Sequence, residues 1–329
     1  MARSIRIAIS GAGGRIGYAL VFRIAAGGMF GSEQPVALSL LEMPERLRLI
    51  QATAMELKDC AFPLLSEVRL GVDAQHTFEG ADWVILLAGR PLRPGGQRAD
   101  VLRDNAPSFA AQGRAINEVA PGARILVVAS PRNTHCLIAM SYAPSVPAEH
   151  WFAMTRLDRM RATALIAEKA GVPVSQVTCV TAWGNHSESV YPDFENATID
   201  DRPAPEVITD RDWVRKVFEP SVAHRSAEIL SLGGASSAGS AAQAIIGSIR
   251  SITTPTPFER WFGAAVVSDG SYGVPRGLIF GFPLRTEDGL SWSIVQGLYL
   301  DAYAQGRLAA NVAELEHEAA TVTDLLRNL

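Results

Sequence analysis

The sequence predicts an α/β protein of two domains. The first is a doubly wound, Rossmann-type parallel sheet, and the second is an α+β domain. Short runs of consecutive apolar residues alternate with helical stretches through the first half, which is typical of a parallel sheet covered by helices on both faces. Near Met154 the pattern changes to longer helices and scattered strands. We therefore place the domains at residues 1–154 and 155–329.

The expected elements follow from these apolar patterns. In the first domain we expect strands at Ile5–Ser10, Val36–Leu41, Val68–Val72, Trp83–Leu87 and Arg124–Val128, with helices at Gly14–Ala26 and Glu45–Leu57. In the second we expect helices at Asp158–Ala170, Trp213–Leu230, Ser237–Ile252 and after Asp301, with strands at Val177–Val180, Trp261–Ser268 and Gly277–Phe282. The small residues from Gly233 to Ala244 continue into an apolar run, which favours a helix that a neighbour can approach closely over a linker.

Composition and charge exclude several classes of protein. Of the 329 residues, 48% are hydrophobic and 19% are charged, which is a normal globular balance. A formal charge of −4 gives no reason to expect nucleic acid or an acidic membrane surface as a partner. The three cysteines form no C-x-x-C pair, and no apolar run approaches the roughly 18 residues that span a bilayer. We expect a cytoplasmic protein with no metal site and no nucleic-acid or membrane partner.

A glycine-rich turn follows the first expected strand. Gly11, Gly14 and Gly17 lie in SGAGGRIGY. Glycine there permits a tight turn, close approach of the backbone to a pyrophosphate, and close packing of the next helix on the sheet. The N-terminal N–H groups of that helix then point toward the anion. An ordinary strand-to-helix turn is the alternative, but the position directly after the first strand favours a dinucleotide site.

Glu42, at the end of the second strand, indicates which dinucleotide binds. A carboxylate at this position accepts hydrogen bonds from both ribose hydroxyls of NAD and repels the 2′-phosphate of NADP. We therefore predict NAD as the cofactor. Arg46 argues against this choice of cofactor, because an arginine one helical turn away can bind the 2′-phosphate of NADP.

Two short segments carry residues suited to chemistry on a 2-oxo acid. In TRLDRMRA, Asp158 and Arg161 are three residues apart near a helix start and share one face, and WGNHS places His186 in a turn after a strand. An imidazole can give a proton to a carbonyl oxygen as hydride arrives at carbon, while a carboxylate orients the ring. A guanidinium can hold the substrate carboxylate in a bidentate grip. Taken alone, an Asp–Arg pair at this spacing is more often a surface ion pair, and a lone histidine is more often structural.

Several rare segments, in the same order along the chain, resemble malate dehydrogenases of the cytosolic and related bacterial type, within the lactate/malate dehydrogenase family. They include SGAGGRIGYALVFRIAAG, MELKDCAFPLL, TRLD, WGNHS and VSDGSYGVP. The resemblance implies that His186 is the proton donor and acceptor, that Asp158 is its partner, and that Arg161 binds the 1-carboxylate of a small anionic 2-oxo acid.

The resemblance has further implications for the cofactor and for assembly. It implies that Asn105 and Gln112 lie along the cofactor, although ordinary polarity of a helix surface is the alternative for both. It also implies a homodimer. Leu57–Leu65 and Ser237–Ile246 are the candidate interface elements.

The segment between residues 90 and 98 departs from the family pattern. Arg98 matches the loop arginine that polarises the substrate carbonyl. Leu92 stands where the family has the arginine that pairs with the distal carboxylate of malate, and a leucine cannot bind a carboxylate. Arg90 and Arg93 flank it, and we take Arg93 as the nearest replacement.

Two further departures follow. Ser130 stands where the family has an asparagine that hydrogen-bonds the substrate, and Arg132 follows the next proline in place of a small residue. Arg159 and Met160 replace a His-Asn pair after Asp158. Three changes within or beside one pocket favour a change of substrate over neutral divergence.

Three hypotheses about function remain open at this point. The first is an NAD-dependent oxidoreductase acting on a small anionic 2-oxo acid, with oxaloacetate and malate as the pair implied by the resemblance. The second is a specialised reductase of the same family, acting for example on phosphonopyruvate, whose higher charge suits the additional arginines. The third is a catalytically silent dinucleotide-binding protein, which the intact set of His186, Asp158 and Arg161 argues against.

Overall fold

The computed structural model describes residues 3–90 and 97–326, and the chain divides into two compact units. The first unit comprises Met1–Ala153, Ala238–Arg250 and Glu318–Leu329, and the second comprises Met154–Ser237 and Ser251–His317. The chain first passes from one unit to the other between Ala153 and Met154, and two later segments group with the first unit.

Among the described residues of the first unit, six parallel strands form the sheet. They are β1 (Ile5–Ser10), β2 (Val36–Leu41), β3 (Leu65–Gly71), β4 (Trp83–Leu86), β5 (Arg124–Val127) and β6 (Trp151–Ala153). Their order across the sheet is β6-β5-β4-β1-β2-β3. The direction of strand addition therefore reverses at β1, so that the carboxyl ends of β1 and β4 border the position where doubly wound sheets bind ligands.

Helices connect these parallel strands. They are α1 (Arg15–Ala25), α2 (Leu47–Asp59), α3 (Ala74–Phe78), α4 (Arg98–Val119) and α5 (Arg132–Ser141). The helix expected at Glu45–Leu57 is preceded by a 3-10 turn at Pro44–Arg46. Ile7, Ala8 and Ile9 of β1 are fully buried, which explains why the strand reads as a continuous apolar run.

The second unit mixes helices with antiparallel strands. Its helices include α6 (Arg156–Ala170), α7 (Ala204–Val207), α8 (Arg211–Trp213) and α9 (Glu219–Gly233), and a π-helical turn at Val214–Phe218 precedes α9. Its strands are β7 (Val177–Thr178), β8 (Thr181–Trp183), β9 (Tyr191–Asp193), β10 (Thr198–Ile199), β11 (Arg202–Pro203), β12 (Phe262–Val267), β13 (Ile279–Arg285) and β14 (Ser293–Ile294). The strand expected at Val177–Val180 is interrupted because Cys179 has a φ of 58°.

Antiparallel pairing organises these strands. β13 lies between β12 and β14, β10 lies between β7 and β11, and β8 pairs with β9. Buried apolar side chains of α6 and the neighbouring elements, among them Ile166, Val180, Phe194 and Phe218, form the core of this unit.

Two late helices account for the return of the chain to the first unit. They are α10 (Gly239–Thr253) and α11 (Ala302–Leu326). Buried alanines line α10, and Arg23 of α1 donates a hydrogen bond to Gln243 of α10 at 3.1 Å. Of the small residues between Gly233 and Ala244, those from Gly239 onward lie on α10, whereas Gly233 ends α9 and residues 234–238 are not helical. The helix expected from Ser237 therefore begins at Gly239.

The described part of the chain contains no helix that is both long and apolar enough to cross a membrane. Within residues 3–90 and 97–326, no three His, Cys, Asp or Glu side chains lie together as a metal site would require. Cys60 is exposed, whereas Cys136 and Cys179 are buried, and all three are free thiols.

The close approach of α4 and α5 gives a testable prediction. A Cβ added at Gly113 would lie 2.2 Å from the carbonyl oxygen of Ala139 and 3.1 Å from its Cα. Alanine normally stabilises a helix interior by about 1 kcal/mol relative to glycine. We expect Gly113→Ala instead to lower the free energy of unfolding by about 1–3 kcal/mol, because backbone atoms would have to move apart. Urea denaturation measures the change.

Gly122→Ala is the matched control, because a Cβ added there meets no atom within 4 Å. Equal losses of stability in the two variants would contradict the proposed clash.

Candidate active site

The glycine turn between β1 and α1 is shaped by backbone contacts. Gly11 has a φ of +68°, and a Cβ added there would lie 2.8 Å from backbone atoms of Ala88. At Gly17 an added Cβ would lie 2.2 Å from the carbonyl oxygen of Ala12, and at Gly14, the N-cap of α1, 3.3 Å from that of Gly11. All three predicted glycines therefore allow close backbone packing, and the turn presents the N-terminus of α1.

Glu42 lies directly against this turn. Its side chain is only 6% exposed, and its two carboxylate oxygens accept hydrogen bonds from the backbone N–H groups of Gly13 (2.9 Å) and Met43 (3.1 Å). Arg46 donates to the carbonyl oxygen of Gly13 at 3.2 Å and is exposed. The acid expected to select NAD and the arginine that opposes it thus border the same turn.

Asn105 and Gln112 lie on α4 and are both buried. The side chain of Asn105 accepts a hydrogen bond from the backbone N–H of Arg90 (2.8 Å) and donates to its carbonyl oxygen (3.1 Å), which fixes the chain just beyond β4. Gln112 donates to Ser108, whereas its Oε1 has no hydrogen-bond partner among the described residues. That oxygen is a polar group to which a ligand could donate.

Arg98, the first residue of α4, is paired with an acid that the sequence did not point to. Its Nε and Nη2 atoms lie 2.9 and 2.7 Å from Oε1 of Glu318 on α11. The hydroxyl of Thr134 donates to the other oxygen of this carboxylate. Glu318 is 6% exposed on its side chain, so its charge is largely withdrawn from water.

His135 lies in the same part of the first unit. Its ring stacks on Phe109 with the centroids 4.1 Å apart, and Nδ1 donates to the carbonyl oxygen of Ala129. Burial lowers the pKa of His135 to about 4; the hydrogen bond to the carbonyl oxygen of Ala129 opposes this lowering, and Arg98 adds a smaller one. This imidazole is therefore neutral at physiological pH.

The arginines considered for the distal end of a substrate are in different situations. Arg90 forms an exposed ion pair with Asp104 at 3.6 Å, and the buried Arg132 donates through Nε to the carbonyl oxygen of Val128 at 2.8 Å. Arg93, like Leu92, lies outside the described residues. Ser130 is exposed and precedes Pro131 in a cis peptide just after β5.

The second unit brings His186, Asp158 and Arg161 together. Nδ1 of His186 lies 2.6 Å from one oxygen of Asp158, and Nη1 of Arg161 lies 3.3 Å from the other. Arg161 also donates through Nη2 to the hydroxyl of Ser226 at 2.9 Å. Because an ionised carboxylate only accepts hydrogen bonds, Nδ1 carries a proton, and Nε2 is the atom that can exchange one.

Burial and the dipole of α6 act on the charged groups of Asp158 and Arg161. Asp158 is 2% exposed and lies in the first turn of α6, where the helix dipole favours an acid. Burial lowers the pKa of Arg161, and the neighbouring Asp158 opposes that effect. A guanidinium nevertheless remains charged at neutral pH.

Hydrogen bonds from two residues of α11 fix the turn that carries His186. Asn311, which is fully buried, accepts hydrogen bonds from the backbone N–H of Asn185 (2.8 Å) and the hydroxyl of Ser189 (2.9 Å), and donates to the carbonyl oxygen of Ser189. Glu314 accepts a hydrogen bond from Ser187 at 2.7 Å. The sequence analysis missed both α11 residues, because no local pattern distinguishes them from other polar positions of a long helix.

Comparison with known proteins gives a consistent result over the whole chain. Residues 5–150 match the family described as lactate/malate dehydrogenase, NAD binding domain, and residues 155–326 match the lactate/malate dehydrogenase, alpha/beta C-terminal domain. The chain is similar to malate dehydrogenase from Naegleria fowleri, with 40% identity, 99% of each chain covered and a TM-score of 0.94.

The chain is also similar to lactate dehydrogenase from Trichomonas vaginalis, solved in complex with NADH and oxamate. The identity is 31%, the alignment covers 99% of this chain and 100% of that one, and the TM-score is 0.94. A variant of the same enzyme in which one leucine is replaced by arginine gives the same identity and TM-score, with 99% of each chain covered.

The position of Glu42 gives a prediction about the cofactor. We expect higher kcat/KM and tighter binding with NADH than with NADPH, because the buried carboxylate would face the 2′-phosphate, and like charges placed together cost several kcal/mol. Glu42→Gln should reduce the ratio of kcat/KM with NADH to kcat/KM with NADPH. Steady-state kinetics and fluorescence titration with each cofactor measure it.

Glu45→Gln, which changes an exposed acid three residues away, should leave the preference unchanged. Equal or higher efficiency with NADPH in the unmodified protein would mean that Arg46 outweighs Glu42.

Proposed function

Because this chain belongs to the lactate/malate dehydrogenase family and is an NAD-dependent 2-hydroxy-acid dehydrogenase, we propose that it reduces a small 2-oxo acid that carries a second anionic group. The observation that carries the reaction is the hydrogen-bonded set of His186, Asp158 and Arg161. Such a set combines an acid–base group, a carboxylate that orients it and a cation for the substrate carboxylate.

The residues of the first unit fit NAD. Close backbone packing excludes a Cβ at Gly11 and Gly17, as a pyrophosphate-binding turn requires, and Glu42 lies against that turn. We assign the three glycines to the pyrophosphate, Glu42 to the adenine ribose, and Asn105 and Gln112 to positions along the dinucleotide. When bound, NADH supplies the hydride.

The side chains of the second unit then supply binding and proton transfer. Arg161 binds the 1-carboxylate in a bidentate grip, and its contacts with Asp158 and Ser226 keep the guanidinium aligned. His186 donates its Nε2 proton to the carbonyl oxygen as the carbon is reduced, and Asp158 stabilises the charged imidazole before that transfer. In the oxidation direction His186 accepts the hydroxyl proton.

Arg98 and Ser130 are assigned to the same substrate. We assign Arg98 to the carbonyl oxygen, where a fixed cation stabilises the charge that develops during reduction. Ser130 takes the position at which the family pattern has an asparagine, and supplies a hydroxyl as a shorter donor.

The distal group of the substrate separates two candidates. The leading one is an anion, as in oxaloacetate or phosphonopyruvate, with Arg93 as its partner. Arg90 and Arg132 support this candidate less, because they bind Asp104 and the Val128 carbonyl oxygen. The second candidate is an uncharged group, as in pyruvate. Leu92 and the similarity to a lactate dehydrogenase favour it.

The proton-transfer assignment is tested by His186→Asn. We expect kcat to fall by about 10²–10⁴, the usual contribution of general acid–base catalysis, while the affinity for NADH stays within about twofold. Asp158→Asn should lower kcat less, because the ring loses its orientation but keeps its proton. Stopped-flow and steady-state assays of NADH oxidation measure both.

His224→Asn, at an exposed position of α9, serves as the control and should retain full activity. Near-normal turnover of the His186 variant would identify another group as the proton donor.

A substrate panel tests the distal group. We expect oxaloacetate and phosphonopyruvate to be reduced with kcat/KM about a hundredfold or more above that of pyruvate, because leaving one side of a buried ion pair empty costs about 3–5 kcal/mol. Arg93→Ala should weaken the anionic substrates selectively, whereas Arg103→Ala, which removes an exposed arginine of α4, should not.

Two other outcomes are informative. If pyruvate is the best substrate and Arg93→Ala leaves the ranking unchanged, the distal pocket is apolar and the second candidate holds. If the protein binds NADH but reduces none of the panel, the proposal fails in favour of a silent binding protein.

A further inference from the structure

We propose that Glu318 is a positioning residue that orients Arg98 for the reaction. The inference rests on the proposed function, in which Arg98 acts on the substrate carbonyl. Both residues belong to the first unit, although 220 positions separate them in the sequence.

The contact fixes more than the position of a charge. Nε and Nη2 of Arg98 both lie within 2.9 Å of a single oxygen of Glu318. Nε donates a hydrogen bond to that oxygen, and the ion contact of Nη2 lies at the same edge of the planar guanidinium. A hydrogen bond and an ion contact at one edge restrict the direction of the guanidinium plane more than an ion contact alone.

The carboxylate of Glu318 is itself held in place. Its second oxygen accepts a hydrogen bond from Thr134 of α5, and its side chain is 6% exposed. A buried carboxylate needs a cation and hydrogen-bond donors, and this one has both. The pair thus differs from exposed ion pairs such as Arg103 with Asp100, which typically contribute little.

The imidazole of His135 adds no charge to the surroundings of the Arg98–Glu318 ion pair. His135, whose ring is near enough to influence Arg98 electrostatically, has a pKa of about 4 and is neutral at the pH of an assay. His135 therefore places no positive charge beside Arg98. Replacing Glu318 changes the orientation of Arg98 without altering the charge of this histidine.

Orientation and simple stabilisation have different kinetic consequences. A guanidinium held in the plane that the reduction requires contributes most where charge develops, so its misplacement lowers kcat and leaves KM nearly unchanged. If Glu318 only stabilises the fold, replacing it lowers the melting temperature, and kcat does not fall through Arg98. If Glu318 instead keeps Arg98 away from the substrate, replacing Glu318 raises kcat/KM.

The test is a double-mutant cycle on the full-length enzyme with NADH and its best 2-oxo acid. We expect Glu318→Gln to lower kcat about tenfold and Glu318→Ala to lower it by up to about a hundredfold, with KM changed less than about threefold. In an Arg98→Ala background, itself about 10²–10³-fold slower, Glu318→Gln should have no further effect on kcat. Glu316→Gln, at an exposed position of the same helix, is the control.

Thermal melting accompanies each variant, and Thr134→Val provides a milder change if the Glu318 variants fold poorly. Thr134→Val should lower kcat when Arg98 is present and should not lower it in the Arg98→Ala background. Equal effects of Glu318→Gln in both backgrounds, or an increase in kcat/KM, would overturn the positioning role while leaving the proposed function intact. Near-normal turnover of Arg98→Ala alone would instead contradict the role of Arg98 in the proposed function.

Discussion

Burying a carboxylate is the constraint around which the candidate functional residues of each unit are organised. An acid removed from water is tolerated only when cations or N–H donors surround it. Asp158 divides its two oxygens between His186 and Arg161, Glu318 divides its own between Arg98 and Thr134, and Glu42 accepts two backbone N–H groups. In each case the requirement of the acid determines the geometry of its neighbours.

The long helix α11 serves both units through different residues. Within the second unit, Asn311 and Glu314 hold the turn that presents His186. Within the first unit, Glu318 binds Arg98 one helical turn further on. Within each unit the helix gives rigid support, because successive turns place side chains at fixed intervals.

Patterns confined to a few neighbouring residues were predictable from the sequence. β1 and β2 were predicted to the residue, and the glycine turn, with Glu42 beside it, followed from its position after a strand. The bounds of α4 were not predicted, since its apolar positions are irregular and Pro107 lies inside it. His186, Asp158 and Arg161 were linked by a family resemblance, and the structure places them together. Glu318 and Asn311 lie 220 and 126 positions from their partners, beyond any local signal.

The turn that presents His186 also restricts how this protein can evolve. Gly184 has a φ of +84°, and a Cβ there would lie 2.2 Å from the side chain of Asn311. No residue other than glycine fits while that asparagine remains. A shorter side chain at position 311 would make room but would remove the hydrogen bonds to Asn185 and Ser189. The two positions are therefore epistatic, and each single step away from the present pair passes through a less well ordered turn. Lineages descending from this sequence should retain both residues or replace them together.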